Sequence, residues 1–323
     1  MINTACSLYV CVMVDVLIKN LTKVYKERGK KTSPALKGVS INADLKGIFT
    51  VIGRNGAGKT TMIRIISTEL LPNGGSVHIN GVDIIKNPRA IRDKIAAIPQ
   101  DGSLIPWMTP LQNIVSYLLW RGFSYKESVS KAKKVLSQFK LDEYADKLPK
   151  KLSGGTRRKA LVALAVSSEA DIIFLDEPTT GLDPVSRREL WNILTNLKKD
   201  HFIVLTTHYL QEAEELSDNI AVLARGRLIA FGTIEDLRKK VGYPYAIRVL
   251  SKNYKIKKIN GKLLKKRDGT MQIFSSEDEA DRLARLFIKT KIKFSINPTS
   301  LEDIFYMLVG DINMEEENEK ERS

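Results

Sequence analysis

The sequence predicts an α/β fold, in which a mixed or parallel sheet has helices on both sides, and three features support that prediction. A short apolar strand pattern at Gly47–Ile52 leads into a glycine-rich loop at 53–58, which precedes a helical pattern. A second apolar run ends in two carboxylates, Asp176 and Glu177, and a third leads to His208. Because ligands bind at the carboxyl ends of the strands in such sheets, we expect these polar residues to share one edge.

The composition is that of an ordinary globular protein with room for two domains. The chain has 323 residues, of which 43% are hydrophobic and 28% are charged, and both fractions are typical of globular proteins. No apolar run approaches the ~20 residues of a membrane helix, so any membrane role is expected to depend on a partner. Cys6 and Cys11 are the only cysteines, which indicates a reducing cytosol and argues against a disulfide framework.

Changes of pattern along the chain predict its domain organisation. The core domain is expected at 14–235, after an N-terminal extension at 1–13 that lacks the basic start and the cleavage site of a signal peptide. Helical patterns at 101–167 predict a helical subdomain inserted between strands of the core. Short strands and helices at 236–311 predict a small C-terminal α+β domain. Residues 312–323 form a charged tail, in which we expect Glu315–Ser323 to be disordered.

The glycine loop fits the pattern G-x-x-x-x-G-K-[ST], whose backbone N–H groups surround phosphate oxygens. The helix that follows adds the positive end of its dipole. Lys59 is expected to reach the β- and γ-phosphates, and the Thr60 hydroxyl to hold Mg²⁺. A chance glycine-rich turn is the alternative interpretation, which the flanking strand and helix disfavour. The residues expected to contact the nucleotide here are Gly53, Arg54, Asn55, Gly56, Ala57, Gly58, Lys59, Thr60 and Thr61.

The carboxylates at the end of the second apolar run predict a metal site and a catalytic base. Two adjacent acids there are unfavourable unless a cation arrives, so Asp176 is placed to hold Mg²⁺. Glu177 points to the opposite face and is expected to polarise an attacking water. Gln100 ends another strand, where its carboxamide would bridge a metal ion or a water. His208 shares this edge, which favours a role in the site over a structural role.

Three further features have two interpretations each. Tyr25, at a strand end, stacks on an adenine base or simply packs against its neighbours. The run Ser153-Gly154-Gly155 at a helix start is a second phosphate-binding geometry or a plain N-cap. Trp107 and Trp120 lie near loops or helix ends, where they would serve either as core residues or as contacts to a partner.

These motifs, in this order, resemble those of the ATPase subunit of ABC transporters over about residues 15–235. Gly53–Thr60 resembles the Walker A loop, and Ile172–Asp176 with Glu177 resembles the Walker B strand and its catalytic glutamate. The other matching motifs are the Q-loop at Gln100, the signature at Leu152–Thr156, the D-loop at Gly181–Asp183, the switch histidine His208 and the adenine-stacking Tyr25. The signature has Thr156 where the family most often has Gln, which leaves its effect on turnover open.

The resemblance implies a head-to-tail dimer, of two copies or of this chain with a similar subunit, that binds and hydrolyses two MgATP. Each ATP would lie between the glycine loop of one subunit and Ser153-Gly154-Gly155 of the other, with Asp183 also at that site. Thr60, Gln100 and Asp176 would hold Mg²⁺.

The same resemblance implies how the groups act. Lys59 would neutralise the γ-phosphate, His208 would hold it, and Glu177 would orient the water. Gln100 and the helical subdomain would pass the movement to an integral-membrane permease, at the cytoplasmic face of the cell membrane.

The end of the chain indicates the direction of transport. Ser300–Gly310 resembles the ending of ATPases from drug, antibiotic or polysaccharide exporters of prokaryotes, which implies export. An importer subunit, or a soluble ABC-type ATPase acting on nucleic acid or ribosomes, is the alternative. Ribosome-associated relatives usually have two ATPase units in one chain, and chromosome-associated relatives have a long coiled coil before the signature. This chain shows neither pattern, so no nucleic-acid partner is expected.

Most of the net charge of +15 comes from one stretch of the chain. The stretch Arg238–Arg267 contains twelve Lys and Arg residues and no Asp or Glu. Such a stretch suits nucleic acid, an anionic membrane surface or a solvated strand face. In an exporter ATPase we expect it near anionic headgroups or against the partner chain.

Overall fold

The computed structural model describes residues 12–25, 34–250, 259–265 and 270–320, with the backbone alone for residues 265 and 311–320. The chain divides into two compact units after Leu228, and each is described by itself. The predicted N-terminal extension therefore lies almost entirely outside the described residues, and so does the middle of the basic stretch, at 251–258. The domain limits at 235 and 311 stay a prediction.

The first unit contains most of the regular structure. Its strands are β1 (Met13–Val24), β2 (Pro34–Lys46), β3 (Ile48–Ile52), β4 (Gly74–Ile79), β5 (Val82–Asp83), β6 (Ile95–Ile98), β7 (Ile172–Asp176), β8 (Phe202–Thr207) and β9 (Asn219–Ala224). Its helices are α1 (Lys59–Ile66), α2 (Arg89–Arg92), α3 (Pro110–Trp120), α4 (Tyr125–Gln138), α5 (Gly154–Ser167), α6 (Pro184–Leu197) and α7 (Leu210–Leu216), with 3₁₀ turns at Asp142–Tyr144 and Pro149–Lys151. The division between the units falls in β10 (Arg227–Gly232).

A parallel sheet in the first unit positions the site. Its strands lie in the order β9-β3-β8-β7-β6, and each neighbouring pair is parallel. Every residue of β3, β7 and β8 is buried, because α1, α5 and α7 pack against these strands or their neighbours. Ile52, Ile98, Asp176 and Thr207 therefore end their strands at one edge, where the following loops meet. The predicted α/β fold is confirmed.

An antiparallel layer accompanies the parallel sheet. Its strands lie in the order β2-β1-β4-β5, with Val16 opposite Ala43 on one side and opposite Ile79 on the other. Val14, Val16 and Ile18 are buried while the residues between them are more exposed, which is the alternation of a strand with one covered face. Tyr25 directly follows β1.

The helical subdomain consists of α3, α4 and α5, inserted between β6 and β7. Thr109 and Ser124 begin α3 and α4 with complete capping boxes, so both starts are encoded locally. Leu118 and Leu136 belong to the same hydrophobic cluster as Ile173 of the sheet. The helices are thus joined to the sheet by one apolar core.

Trp107 and Trp120 are not core residues. Trp107 is 75% exposed and Trp120 is 81% exposed. Trp120 ends α3 and stacks on Tyr117, with ring centroids 6.4 Å apart, because the apolar face of α3 is formed by other residues. The expectation that these side chains stabilise the core is wrong, and the interpretation as partner contacts stays a prediction.

The second unit is a small α+β structure. It consists of α8 (Ile234–Val241), β11 (Tyr245–Val249), β12 (Gly261–Lys265), β13 (Met271–Ser275), α9 (Glu277–Lys289), β14 (Phe294–Pro298) and α10 (Leu301–Lys320). The antiparallel sheet has the order β12-β13-β11-β14. The helix α9 packs on it through a core that includes Ile247, Ile273 and Phe287.

The last helix is longer than the sequence suggested. It continues to Lys320, so the expected disorder is wrong for residues 315–320. Glu and Lys are good helix formers, and no Gly or Pro follows Gly310, so nothing in the sequence ends the helix there. Among the described residues of both units, no helix is long and apolar enough to cross a membrane.

Candidate active site

The loop at 53–58 joins β3 to α1 and brings backbone amides to the edge of the sheet. Gly58 precedes α1 with a φ of 105°, in the left-handed region that favours glycine. A Cβ at Gly53 would lie 2.5 Å from the carbonyl oxygen of Leu223, and one at Gly58 would lie 2.5 Å from that of Ala35. A larger residue at either position would displace the loop. Glycine therefore lets the amides face a concavity that suits phosphate.

Lys59 begins α1 and is buried, with 5% of its surface exposed. Its ammonium donates to the carbonyl oxygens of Gly53 at 3.0 Å and Arg54 at 3.4 Å. It also forms an ion pair with Oε1 of Glu177 at 3.3 Å. The positive charge thus lies between the loop and the carboxylate, where it is placed to neutralise an anionic group.

Thr60 and Asp176 bring two oxygen atoms together. The hydroxyl of Thr60 donates to Oδ1 of Asp176 at 3.3 Å, and the hydroxyl of Thr206 donates to the same oxygen. Asp176 is only 3% exposed. Mg²⁺ prefers oxygen ligands and is usually bound by one or two carboxylates together with substrate phosphates. This hydroxyl and carboxylate fit Mg²⁺ by the chemistry of their donor atoms.

Glu177 has a backbone φ of 48°, which is unusual for a residue with a Cβ. Its N–H donates to the carbonyl oxygen and the hydroxyl of Thr206. Its carboxylate accepts from Thr180 at 3.0 Å and lies 2.9 Å from Nδ1 of His208. The amide of Gln100 donates to it at 3.5 Å. Because an ionised carboxylate only accepts, Nδ1 of His208 carries the proton of this contact.

The neighbours of Glu177 favour its ionised form. Burial by itself raises the pKa of Glu177, but Lys59, His208 and Thr180 together hold that pKa below its ordinary value of 4.5. An ionised carboxylate at neutral pH is chemically suited to act as a general base. The assignment of Glu177 as the catalytic base stays a prediction, and this geometry supports it.

A cleft of about 400 Å³ connects the predicted residues. Asn55 and Thr61 line it from the glycine loop and α1, and Gln100 and His208 line it from the loops after β6 and β8. The hydroxyl of Tyr25 lies 3.3 Å from that of Thr61, and 42% of the Tyr25 surface is exposed. Its ring is therefore partly exposed at the end of β1, near the start of α1, with the Lys23 ammonium 5.7 Å from the ring centroid.

The signature run, Ser153-Gly154-Gly155, has the N-cap role in the structure, and its phosphate-binding role stays a prediction. Ser153 is an N-cap, because its hydroxyl accepts from the N–H of Thr156 at 3.1 Å. A Cβ at Gly155 would lie 2.3 Å from the hydroxyl oxygen of Ser186, whereas one at Gly154 would meet no described atom within 4 Å. Gly155 is thus required by packing against α6. Gly154 has open space, in which a contact from outside the chain would fit.

A second cleft, of about 990 Å³, is lined both by Gly154 and by the residues predicted to bind Mg²⁺. Thr60, Asp176 and Gln100 line it together with Gly154. Asp183 begins α6 as its N-cap and accepts from two backbone N–H groups at 3.0 Å each. This gives Asp183 a structural role, and its expected nucleotide contact stays a prediction.

The sequence patterns do not predict three residues that contact the site. Thr180 and Thr206 donate to Glu177 and Asp176 respectively, and both lie within three positions of an expected site residue. Their closeness in the sequence to those residues is the signal from which they could have been predicted. Arg158 donates to backbone carbonyls of β7 and of the residues after it, and no local pattern distinguishes it from the adjacent Arg and Lys.

A phosphate-binding loop and a buried, ionised glutamate at one edge of a parallel sheet define the class of this protein. It is a P-loop ATPase, since the loop binds nucleotide phosphates and the acidic strand end accompanies hydrolysis in this class.

Known proteins with similar sequences identify the family. The sequence profile described as ABC transporter matches residues 36–180. The daunorubicin/doxorubicin resistance ATP-binding protein DrrA of Streptomyces peucetius is 32% identical over 322 residues, which is 94% of this chain and 96% of DrrA. The ATP-binding cassette sub-family A member 2 of Homo sapiens is 32% identical over 308 residues, which is 90% of this chain but 13% of that protein. The chain belongs to the ABC transporter family of ATP-binding subunits.

Solved structures agree with this assignment. A dimeric structure of the ATP-binding cassette MJ0796, described as bound to ADP and Pi, has a TM-score of 0.62 and 29% identity and covers 68% of this chain and 98% of the cassette. A structure described as an ATP binding subunit of an ABC transporter has a TM-score of 0.60 and 29% identity and covers 71% and 93%. The cassette fold is confirmed, and the comparisons do not favour an ATPase that acts on nucleic acid or ribosomes.

Proposed function

We propose that this chain hydrolyses MgATP at the interface of a head-to-tail dimer and thereby drives export of a substrate through a separate membrane permease. The observation that best supports hydrolysis is the contact of Glu177 with both Lys59 and His208 at the glycine loop. Export is supported by the match to DrrA, a drug-resistance ATP-binding protein, over almost the full length of both chains.

ATP binding begins at the loop. The N–H groups of residues 53–58 and the start of α1 bind the β- and γ-phosphates. Lys59 exchanges the carbonyl oxygens of Gly53 and Arg54 for phosphate oxygens, because a bond between two charged groups is stronger than one to a neutral carbonyl. The exposed ring of Tyr25 stacks on the adenine base.

Thr60 and Asp176 would hold Mg²⁺, with Gln100 as a further oxygen donor, and the metal would neutralise phosphate charge when bound. Thr206 orients the Asp176 carboxylate through its hydrogen bond. The carboxylate therefore faces Thr60 and not the interior of the sheet.

Glu177 orients the attacking water and accepts one of its protons as the water oxygen bonds to the γ-phosphorus atom. The bond from that phosphorus to the β,γ-bridging oxygen breaks, and ADP leaves with the bridging oxygen. Thr180 and the Nδ1–H of His208 hold the carboxylate in place. Lys59 lies on the other carboxylate oxygen, where its charge also stabilises the negative charge that develops on the γ-phosphate.

A second subunit completes the site. Ser153 and Gly154 begin α5, so their backbone amides and the helix dipole suit the γ-phosphate bound by a partner. The open space at Gly154 is where that phosphate would approach. The second subunit is another copy of this chain or a similar ATPase subunit, and MJ0796, a cassette of the same fold, is described as dimeric.

The permease is proposed to dock on the helical subdomain at the cytoplasmic face of the membrane. Trp107, Trp120 and Tyr125 of this subdomain are 75%, 81% and 69% exposed. Exposed aromatic rings are typical of interfaces between proteins. The subdomain follows Gln100 in the chain, so a movement at the Mg²⁺ site has a short covalent route to this surface.

The first test compares ATP hydrolysis by the wild type, by E177Q and by E189Q. E189Q is a matched control, because Glu189 is an exposed residue of α6 that pairs with Lys159. We expect E177Q to lose about 10²- to 10⁴-fold in kcat while it still binds ATP and forms an ATP-dependent dimer in light scattering. E189Q is expected to match the wild type, and removal of Mg²⁺ with EDTA is expected to stop turnover in all three.

Equal rates for E177Q and the wild type would show that Glu177 is not the catalytic base. An E177Q protein that binds ATP but stays monomeric would exclude a dimer of two copies and leave only the pairing with a similar ATPase subunit.

A further inference from the structure

Arg158 lies in the first half of α5, shortly after the signature run, and binds backbone carbonyls with its guanidinium. Its Nε donates to the carbonyl oxygen of Pro178 at 2.8 Å. Its Nη2 donates to those of Asp176 at 3.1 Å and Glu177 at 3.2 Å, and its Nη1 donates to that of Gln100 at 3.5 Å. One side chain thus joins α5 to the end of β7 and to the segment after β6.

The environment of Arg158 is unfavourable for a charge unless many acceptors surround it. Arg158 is 8% exposed, and burial lowers the pKa of Arg158, with partial compensation by the nearby Asp176. Its hydrogen-bond acceptors among the described residues are backbone carbonyl oxygens. A planar guanidinium serves several acceptors in fixed directions, which a single ammonium does not. These contacts indicate that the function of Arg158 depends on the directions in which its guanidinium donates hydrogen bonds.

The carbonyls that Arg158 binds lie on both sides of the Cα atom of Glu177. The Asp176 carbonyl belongs to the peptide group before this atom, and the Glu177 carbonyl belongs to the group after it. Because Nη2 binds both, it restrains the two peptide planes that define φ and ψ of Glu177. The φ of 48° is an unfavourable conformation that persists only where the surroundings hold it.

We propose that Arg158 is a positioning residue, which holds Glu177 in its left-handed conformation and makes that conformation depend on where α5 lies. The left-handed backbone directs the Glu177 carboxylate to Lys59 and His208. Because α5 begins with the signature run, a shift of that helix reaches the carboxylate through Arg158. The inference rests on the proposed function, since it concerns the residue proposed there as the base.

Arg121 provides a matched control, because it makes the same kind of contact away from the site. It follows α3, and its guanidinium donates to the carbonyl oxygens of Asp93 at 2.6 Å and Ile95 at 2.8 Å. These residues lie at the start of β6, whereas Gln100 lies beyond its end. Arg121 therefore also joins the helical subdomain to the sheet through carbonyls, at the opposite end of the strand.

The test compares R158K and R121K in the full-length chain. R158K keeps a positive charge but loses the planar set of donors. We expect kcat for ATP hydrolysis to fall about 10- to 100-fold, the usual effect of displacing an oriented catalytic group, with KM and ATP affinity unchanged. R121K is expected to change neither kcat nor KM.

Two further variants make the test specific. In E177Q the carboxylate that Arg158 would position is already absent. Adding R158K to E177Q is therefore expected to cause no further loss of kcat, because the effects of mutating residues that act as a unit are not additive. R158Q replaces R158K in the test if R158K does not fold, because Gln brings no buried charge that must be desolvated. It is expected to show the same loss of kcat, because it also lacks the full set of donors.

Several results would overturn the inference and leave the proposed function standing. They are equal losses in R158K and R121K, additive losses in the double variant, or a raised KM with unchanged kcat. A wild-type chain without ATP hydrolysis would overturn the proposed function, and the inference with it.

Discussion

Two buried glutamates show how the same side chain is given opposite properties by its surroundings. Glu177 lies between Lys59 and His208, which outweigh its burial and lower its pKa. Glu212 is fully buried in α7, and burial raises its pKa, although hydrogen bonds and Arg187 oppose that change. The first carboxyl is suited to a base, and the second to a neutral hydrogen-bonding group.

The raised pKa of Glu212 predicts a pH dependence of stability. In the unfolded chain the carboxyl ionises near its ordinary value of 4.5, whereas the folded protein releases that proton only at higher pH. Between these two pKa values the folded state binds more protons than the unfolded state. The free energy of unfolding therefore falls as pH rises, by up to about 1.4 kcal/mol per pH unit.

The E212Q variant isolates this effect. Gln cannot ionise but still accepts from Nε1 of Trp191, which donates to Oε1 of Glu212 at 2.8 Å. In denaturant titrations at a series of pH values, we expect E212Q to lose less stability than the wild type as pH rises. E215Q, at an exposed position of the same helix, is the control. Parallel stability curves for E212Q and the wild type would contradict the prediction.

At the scale of secondary structure, the start of α5 combines a packing contact with an open position. Gly155 faces Ser186 of α6, and Gly154 faces open space. The two adjacent glycines are therefore expected to respond differently to the same substitution, which separates a structural requirement from a requirement for ligand contact.

We expect G155A to lower the free energy of unfolding by about 1–3 kcal/mol, because the added methyl overpacks against Ser186. In the G155A background, S186G is expected to recover part of that loss by making room. G154A is expected to change stability by no more than about 0.5 kcal/mol and to weaken ATP-dependent dimerisation when combined with E177Q. Urea denaturation and light scattering measure the two effects, and equal destabilisation by both alanines would refute the contrast.

At the scale of the whole molecule, the first unit contains the proposed site and all the residues that match the ABC transporter profile. The profile match ends at residue 180, whereas the similarity to DrrA extends over 94% of the chain and thus includes the second unit. The proposed catalytic groups therefore lie in the cassette, and the second unit is shared with a drug-resistance ATP-binding protein.

The proposed permease surface predicts a variant that affects the assembled transporter alone. In W107A/W120A we expect stability and basal ATP hydrolysis of the isolated chain to stay within error of the wild type, because both side chains are exposed. Recovery of the chain with membranes from cells that produce it is expected to fall. L71A, which removes a side chain of a residue that is 65% exposed outside the helical subdomain, is the control, and equal recovery of all three proteins would argue against this surface.

Local chemistry explains why so much of the site was predictable. Lys59 and Thr60 belong to a loop whose pattern lies in eight consecutive residues, and Asp176 and Glu177 end one strand. These residues could be selected without knowing the order of the strands in the sheet. It was enough that the strands are parallel, because parallel strands place their carboxyl ends at one edge.

Other properties depend on residues that are distant in the sequence. Arg158 binds the carbonyl of Gln100, 58 positions away, and this contact has no pattern in the chain. The same is true of Gly155, whose requirement comes from Ser186. Trp120 has an apolar side chain at a helix end, and its exposure depends on which face of α3 meets the rest of the core.

The amino-acid sequence by itself determined the fold class, the phosphate-binding loop, the acidic strand end and the family. Each of these follows from short runs of consecutive residues whose pattern can be recognised locally. Only the tertiary structure decided how the pKa of Glu177 is set, which glycine of the signature run is required for packing, and what Arg158 binds. Each of those properties depends on all the residues that lie nearby in the folded protein, and the packing of the helices on the sheet determines which residues those are.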